Sequence, residues 1–597
     1  MLYPKLKELE TKQQSVEYFK GYNHNLRIGD GEFYDMKNMT SAHYPILSPR
    51  GKRGLYVSPE NPQGMIAKDG LCYVDGRYFV MNEYRIDMGL SVEESDCPKQ
   101  LVSMGAYVII LPDKKYINTA DITDYGDIEA TVTTGTSVSF TLGRADGTEY
   151  AAEYTQAEEP EAPENMALWI DTSQEPHTLK QWSQSSGMWV DIATTYVKIG
   201  CTGIGKAFEQ YDGVTITGLK GVELTDSGTG QALLDGSELE ALEGSAVIWA
   251  KGDDYIVVTG MLSGVKTISN TITLSRKMPV MDFVVESKNR LWGCRYGQDA
   301  NGNVVNELYA SKQGSFKNWE CFMSIATDSY RVSLGTDGQF TGAITHGGYP
   351  IFFKENCMHK VYGDYPANFQ VQDTACRGVQ KGCQRSLAIV NEVLYYKARS
   401  GVCAYDGSLP VEISGQMGEE SYADAVAGVH GNKYYISMRN VVTGGYHLFV
   451  YDASKGMWHR EDDTRVEAFC SCGGEMYFID HADKGIKTMF ASGSEAEKKV
   501  EWMVQTGVIG VDHPDKKYLS RITVRMSLDV GTRVRFFAQY DSMGQWEQLH
   551  TMTGTNLRTF SVPIRPRRCD HLRLRIEGEG DAKIFSIVKT IESGSDY

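Results

Sequence analysis

Hydrolysis of a glycosidic bond needs only two carboxylates placed by a fold, one giving a proton and the other acting as base or nucleophile. Five acidic residues of this chain sit where such a pair could form: Asp406, Asp452, Glu461, Asp462 and Asp463. The competing reading is stronger. Glu461 to Asp463 follow Trp458 as a solvated turn, and Asp406 is a turn residue whose short side chain bonds its own backbone. A structural zinc site wants two close ligand pairs. Cys470 and Cys472 form one pair, Cys376 and Cys383 a looser one, and His is sparse, so buried thiols are expected instead. His359, His430, His447 and His459 lie near strand ends or turns, yet no G-x-S-x-G elbow presents a serine to any of them. Gly213, Gly218 and Gly221 in YDGVTITGLKGVEL lack the GKS/GKT ending and following helix of a phosphate loop. The expectation is a protein with no catalytic, cofactor or metal site.

The bulk numbers narrow the partners. The chain has 597 residues and a formal net charge of −17. A protein that grips DNA by its phosphates needs clustered Lys and Arg, so this balance argues against tight DNA binding. It is compatible with a passage through which DNA slides, because an acidic wall repels the backbone. The basic stretch IRPRRCDHLRLRI holds Arg565, Arg567 and Arg568, which read equally as a contact for an acidic partner or as the polar side of a turn. Arg573 and Arg575 read as the polar face of a strand. The first residues lack the apolar core of a secretory signal, and no window is long and apolar enough for a membrane helix. The twelve Cys are scattered, which predicts reduced thiols and synthesis in the cytoplasm.

The elements are short strands. Gly at 61 and Tyr at 35 are abundant and Pro is only 17, the composition of strands joined by Gly-rich turns. One grammar recurs: turn, aromatic or β-branched strand, polar turn, second strand. It runs through 70–86, 105–119, 289–322, 347–364, 391–407, 431–460 and 473–493. VYGD, AYDG and VYDA are near copies of one strand ending, and from Gly342 the units recur about every 40–50 residues, the spacing of propeller blades. In the unit 289–322, Trp292, Tyr309, Phe316 and Trp319 are expected to anchor packing between strands or blades, as are Tyr405, Tyr451 and Trp458 further on. Its polar turn, with Asp299, Asn301 and Asn303, is a surface that a partner could touch.

The reading is an all-β chain: a β-propeller core with an inserted β-rich domain, a C-terminal β-sandwich and a short N-terminal helix. The boundaries expected are 1–55 for an N-terminal arm and first propeller strands, 56–119 for the first blades, 120–280 for the insertion, 281–500 for the remaining blades and 501–597 for the sandwich. Leu6, Leu9, Val16 and Phe19 are spaced as one helical face over Lys5 to Phe19. LRLRI places Leu572, Leu574 and Ile576 on one side of a strand.

Three segments resemble tail nozzle, or packaged-DNA stabilisation, proteins of tailed phages. The opening FKGYNHNLRIGDGEFYDMKNMTSAHYPILSPRGKRG matches at Gly21, Asn38, Pro45, Pro49, Arg50 and Gly54. NRLW followed by ELYASKQGSFKNW is similar to a blade of that family, and GVQKGCQRSLAIVNEVLYYKARSGVCAYDG to another. The resemblance covers about half the chain and leaves out the insertion and the sandwich. It implies a structural virion component, without enzyme activity or cofactor, in which several copies form a ring below the portal and adaptor. Such a ring continues the DNA channel, lets viral DNA pass without tight binding, retains the genome and docks other tail proteins or fibres. Two other readings stand beside it: a receptor-binding or fibre-docking tail protein, and a carbohydrate-active propeller enzyme.

Overall fold

The computed structural model describes all residues except 1–10, 93–97, 223, 226–231, 234–236, 494–495, 512–515, 555–556, 566 and 594–597. The protein is all-β. Among the described residues the one α-helical segment is Ser237–Glu240.

Seven four-stranded antiparallel meanders dominate the chain. The first comprises Pro62–Ala67, Leu71–Asp75, Tyr78–Met81 and Tyr84–Asp87, and the second runs from Gln100–Met104 to Tyr125–Asp127. The third runs from Phe283–Ser287 to Tyr330–Ser333, the fourth from Phe340–His346 to Gln370–Ala375 and the fifth from Ala388–Val390 to Val411–Glu412. The sixth runs from Tyr422–His430 to Met457–Arg460. The seventh has only three consecutive strands, Val466–Cys472, Glu475–Asp480 and Ile486–Thr488. Its fourth strand is Gly54–Val57, paired antiparallel to Ile486–Thr488. First strands touch first strands from one meander to the next, and the seventh touches the first. Between the fourth and fifth the contact passes through the short turn Gln384–Ser386.

Local chemistry explains the repeated hairpins. Two-residue turns with both φ positive match strand twist. The turn between first and second strands is of this kind at Lys288-Asn289, Gly347-Gly348, Asn391-Glu392 and Gly473-Gly474. The repeated Tyr-Asp endings are turn caps. Asp406 accepts from the Ser408 amide at 3.0 Å and its hydroxyl at 2.6 Å, and Asp452 from the same two groups of Ser454 at 3.1 and 2.7 Å. At VYGD the bonds come from the other side, because Asn368 Oδ1 accepts from the Asp364 amide at 2.9 Å.

Between the second and third meanders, residues 130–276 form their own sheets. One is a four-stranded sheet of Ala130–Thr133, Thr273–Arg276, Gly213–Thr217 and Gly244–Val247. A five-stranded sheet is centred on Tyr196–Gly200, and a four-stranded one runs from Tyr154–Gln156 to Met188–Asp191. They share an apolar core that includes Phe140, Ile199, Phe208, Ile216 and Leu274.

At the other end, two sheets form a sandwich. The six-stranded sheet orders Gly21–Tyr22, Glu32–Lys37, Glu501–Thr506, Leu572–Glu579, Arg533–Tyr540 and Glu547–Thr553. The four-stranded sheet orders Thr11–Val16, Ala582–Ser593, Lys517–Leu528 and Arg558–Val562. Thr11–Val16 is thus a strand, pairing Thr11 with Glu592 and Val16 with Ile587. This corrects the helix expected over Lys5–Phe19, of which the part before Thr11 lies outside the described residues. Val16 and Phe19 do face the core, but across a sheet. The arm expected at the N-terminus is, over 11–37, part of the sandwich.

The unit 289–322 is the middle of the third meander. Trp292 is 3% exposed and lies between the third and fourth meanders, its ring 4.9 Å from Phe369. Phe316 lies between Tyr107 and Tyr116 of the second meander, with centroids at 4.9 and 5.1 Å. Asp299 accepts from the Asn301 and Asn303 amides at 2.8 Å, so the exposed turn is satisfied internally. Trp292→Ala is expected to cost about 3–5 kcal/mol in urea unfolding. Alanine at Asn301 or Asn303 is expected to change it by about 0.5 kcal/mol or less.

Candidate functional site

A network of buried ion pairs lies where residues 38–57 cross from the sandwich to the seventh meander. Asn38 has φ 54, and its amide donates to the Glu461 carbonyl. Its side chain accepts from Arg50 Nε at 2.8 Å and donates to the Glu501 carbonyl at 2.8 Å. Arg50 Nη1 and Nη2 meet Glu497 at 2.7 and 3.2 Å. Arg53 gives Nη2 to Glu461 at 2.6 Å and Nη1 to Asp462 at 2.8 Å and Thr464 at 3.0 Å. Arg50, Arg53 and Glu461 are all buried.

Burial alone would raise the Asp462 and Glu497 carboxyls, but Arg53 beside the first and Arg50 on the second hold both below the ordinary range. Burial also opposes the charge of Arg53, yet Asp462 and Glu461 raise its pKa above the usual value. The ions are held because each is matched; an uncompensated one would cost several kcal/mol.

Beside this network opens a cleft of about 820 Å³, lined by the crossing segment, the sixth meander and the sandwich loops at Ser527 and Asp581. Asp452 lies on its wall. It accepts from Ser41 Oγ at 2.5 Å, and this bond together with Ser454 and Lys433 lowers its pKa against the opposing effect of burial. Lys433 donates to Thr40 at 2.8 Å, and its pKa is lowered by burial. His43 is lowered by burial and by Lys583 and Lys433.

The five carboxylates that could have formed an acid pair are therefore all engaged. Glu461 and Asp462 serve Arg53, Asp463 meets Arg460 at 2.6 Å, and Asp406 and Asp452 cap turns. Asp406, Asp452 and Asp462 are held below the ordinary carboxylate range, the opposite of what a general acid needs near neutral pH. Among the described residues no three His, Cys, Asp or Glu side chains are grouped as metal ligands. Cys383 and Cys470 are buried free thiols, Cys376 and Cys472 half-buried ones. His359 is enclosed and meets Asp373 at 2.5 Å. His447 lies beside Tyr422, and His430 against Phe490.

The sandwich sits against the outer strand of the sixth meander. A Cβ on Gly21 would collide with the Trp458 carbonyl, which is why this approach needs glycine. Trp458 is fully buried and donates to the Ile413 carbonyl at 2.8 Å. Tyr451 packs on it at 4.9 Å, and Tyr405 is buried against His346. Buried His459 is pushed down to about 3 by loss of solvation, helped by Lys433. Arg565, Arg567 and Arg568 are exposed, with Arg567 over the Tyr540 ring at 5.3 Å. Arg573 and Arg575 cover Tyr34 and Trp546 at 4.9 and 4.2 Å.

A second junction was not anticipated from residue types. Arg290 of NRLW is 1% exposed, and its guanidinium donates to the carbonyls of Ser311, Ala326 and Asp328, the last two at 2.7 and 2.5 Å. Desolvation lowers its pKa. These bonds fix the loop 311–329, whose Asn318 accepts from the Gly213 amide at 3.1 Å and donates to Asp212 at 3.0 Å. Asp212 pairs with buried Arg276. The loop therefore docks the 130–276 sheets onto the third meander. The local signal was an arginine at the start of an apolar strand.

No family model matches the sequence, and no curated protein matches it. Among solved structures, a glycoside hydrolase is 11% identical, with 50% of this chain and 96% of that one aligned and a TM-score of 0.20. The extracellular domain of the putative hybrid two component system BT4673 from B. thetaiotaomicron is 9% identical, with 87% and 98% aligned and a TM-score of 0.17. Similarity at this level carries no argument about function.

Arg53→Met is expected to destabilise the protein by about 3–5 kcal/mol, because buried Glu461 loses its 2.6 Å partner and keeps only Arg50 at 3.8 Å. Acid should act in two steps, read as the urea midpoint against pH. A histidine whose folded pKa is depressed binds its proton only on unfolding, so stability falls as pH drops below about 6.5, and His459→Asn should flatten this limb. Carboxylates with depressed folded pKa contribute above about 4 and lose that contribution as pH falls further; Glu497→Gln should weaken the second limb.

Proposed function

We propose that this protein is a structural component of a tailed-phage virion, a subunit of a nozzle ring below the portal or adaptor. In this reading the seven meanders are blades of one propeller, closed by Gly54–Val57. The observation that carries a building-block reading over an enzyme is the state of the candidate carboxylates: Asp452 and Glu461 in the cleft, and Asp406, Asp462 and Asp463 outside it, are each taken up by an internal arginine, lysine or turn group. The docking of both appended bodies through buried polar contacts also supports a rigid part. Rings of identical copies need heterologous contacts that close by rotation, which rigid subunits favour. The acidic balance supports a channel through which DNA passes without sticking. The phage assignment itself rests on the resemblance at Gly21, Asn38, Arg50 and Gly54, at NRLW and at 378–407. Of these, Asn38 and Arg50 hold the crossing segment and Gly54 begins the closing strand.

Negative-stain images of the purified protein and of particles carrying it should show closed rings, and particles assembled without it should lose DNA. A stable monomer, with no ring in the particles, overturns the proposal. So does hydrolysis on a glycan panel that disappears with Glu461→Gln or Asp452→Asn.

A further inference from the structure

The sheet from Tyr154–Gln156 to Met188–Asp191 buries one face and presents the other. Leu168, Ile170 and Leu179 enter the core of the 130–276 body. Register places Tyr154, Trp169, Lys180, Trp182 and Trp189 together on the opposite face. Trp182 pairs directly with Trp189, ring centroids 5.5 Å apart, and Trp189 also meets Trp169 at 5.3 Å. Trp182 and Trp189 are half-buried. A core position would bury such indoles fully, and a merely solvated face would carry polar residues.

The acidic loop 157–165 is tied around this face at both ends. Gln156 accepts from Trp169 Nε1 at 2.9 Å, while Met166 and Trp182 are joined backbone to backbone at 3.1 Å. Glu158, Glu159, Glu161, Glu164, Glu175 and Asp191 are exposed. The first five have no ion-pair partner among the described residues. Lys180 is the only Lys or Arg between Arg144 and Lys198. It already shows what the surface accepts: its ammonium lies 4.9 Å from the Trp169 ring centre and 2.9 Å from Asp171.

We propose that this face is a docking surface for a Lys/Arg-rich segment of a partner protein. Cations would sit over Trp182 and Trp189, as Lys180 sits over Trp169, with the loop carboxylates supplying the opposite charge. Aromatic rings and uncompensated carboxylates together select a cation and repel phosphate. Neutral sugars would use the indoles but gain nothing from the carboxylates. This surface stands independently of the ring assembly.

The test uses the full chain and a fluorescein-labelled octalysine peptide, followed by anisotropy at about 50 mM salt, where exposed charges are weakly screened. Glu158, Glu159, Glu161 and Glu164 all changed to Gln should weaken binding about tenfold. The same change at the exposed, distant Glu60, Glu83, Glu419 and Glu475 should weaken it less than about twofold. Trp182→Ala with Trp189→Ala, at unchanged charge, should cost about fivefold. Equal loss from the two quadruple variants means that only net charge attracts the peptide, and overturns the proposal. So does a double tryptophan variant that binds as the parent does, or a neutral oligosaccharide that displaces the peptide. The quadruple variant alters exposed loop residues only, so its reading does not depend on the tryptophan variant folding.

Discussion

Arg50 and Arg53 hold three parts of the molecule in one register. Each is taken from water, and each meets carboxylates placed by a different stretch of chain: Glu497 before the sandwich, and Glu461 and Asp462 after the sixth meander. In a low-dielectric site such charges are tolerated only when geometry is met at every partner. Moving the crossing segment by one residue would unpair the network, shift Gly54–Val57 against the seventh meander and carry the N-terminal strands of the sandwich with it. Apolar packing around Trp458 and Tyr22 supplies adhesion; the ion network supplies position.

The insertion is fixed on the same logic with different atoms. Arg290 meets carbonyl oxygens instead of carboxylates, and its reward is a rigid loop. That loop presents Phe316 and Trp319 to the second meander and Asn318 to the Asp212–Arg276 pair. One buried guanidinium thus sets both an interface between meanders and the seat of a separate body. A change at Arg290 would be felt more than one element away, through contacts it does not make itself.

Local patterns were legible where their cause is local. The hairpin units, the Tyr-Asp caps and the alternation of LRLRI follow from turn geometry and the two-residue period of a strand, all contained within a dozen residues. What could not be read depends on pairing across long separations. Thr11–Val16 looks helical by spacing, but its partner is Ala582–Ser593, and no window containing one contains the other. The carboxylates Glu461 and Asp462 look like a solvated turn because the arginines that claim them lie about 410 positions earlier. Arg290 gave a weak sign, since an arginine at the start of an apolar strand requires something to pay for its burial. Trp182 and Trp189 passed unremarked because a strand rich in tryptophan reads the same whether it faces a core or the solvent.

The pairing of the first described strand with the last has a consequence for synthesis. A ribosome releases Thr11–Lys37 and Gly54–Val57 long before Ala582–Ser593 or Ile486–Thr488 exists. Until then the early strands have open edges, which invite pairing with another chain. The meanders between can form in order as they emerge, each resting on the one before. The sandwich cannot form until Ala582–Ser593 has been made, and then it captures the early and late strands together. A chain broken off before Ala582–Ser593 would therefore keep many of its meanders yet remain sticky at Thr11–Val16, and the arrival of that late strand becomes the step that makes the product safe to accumulate.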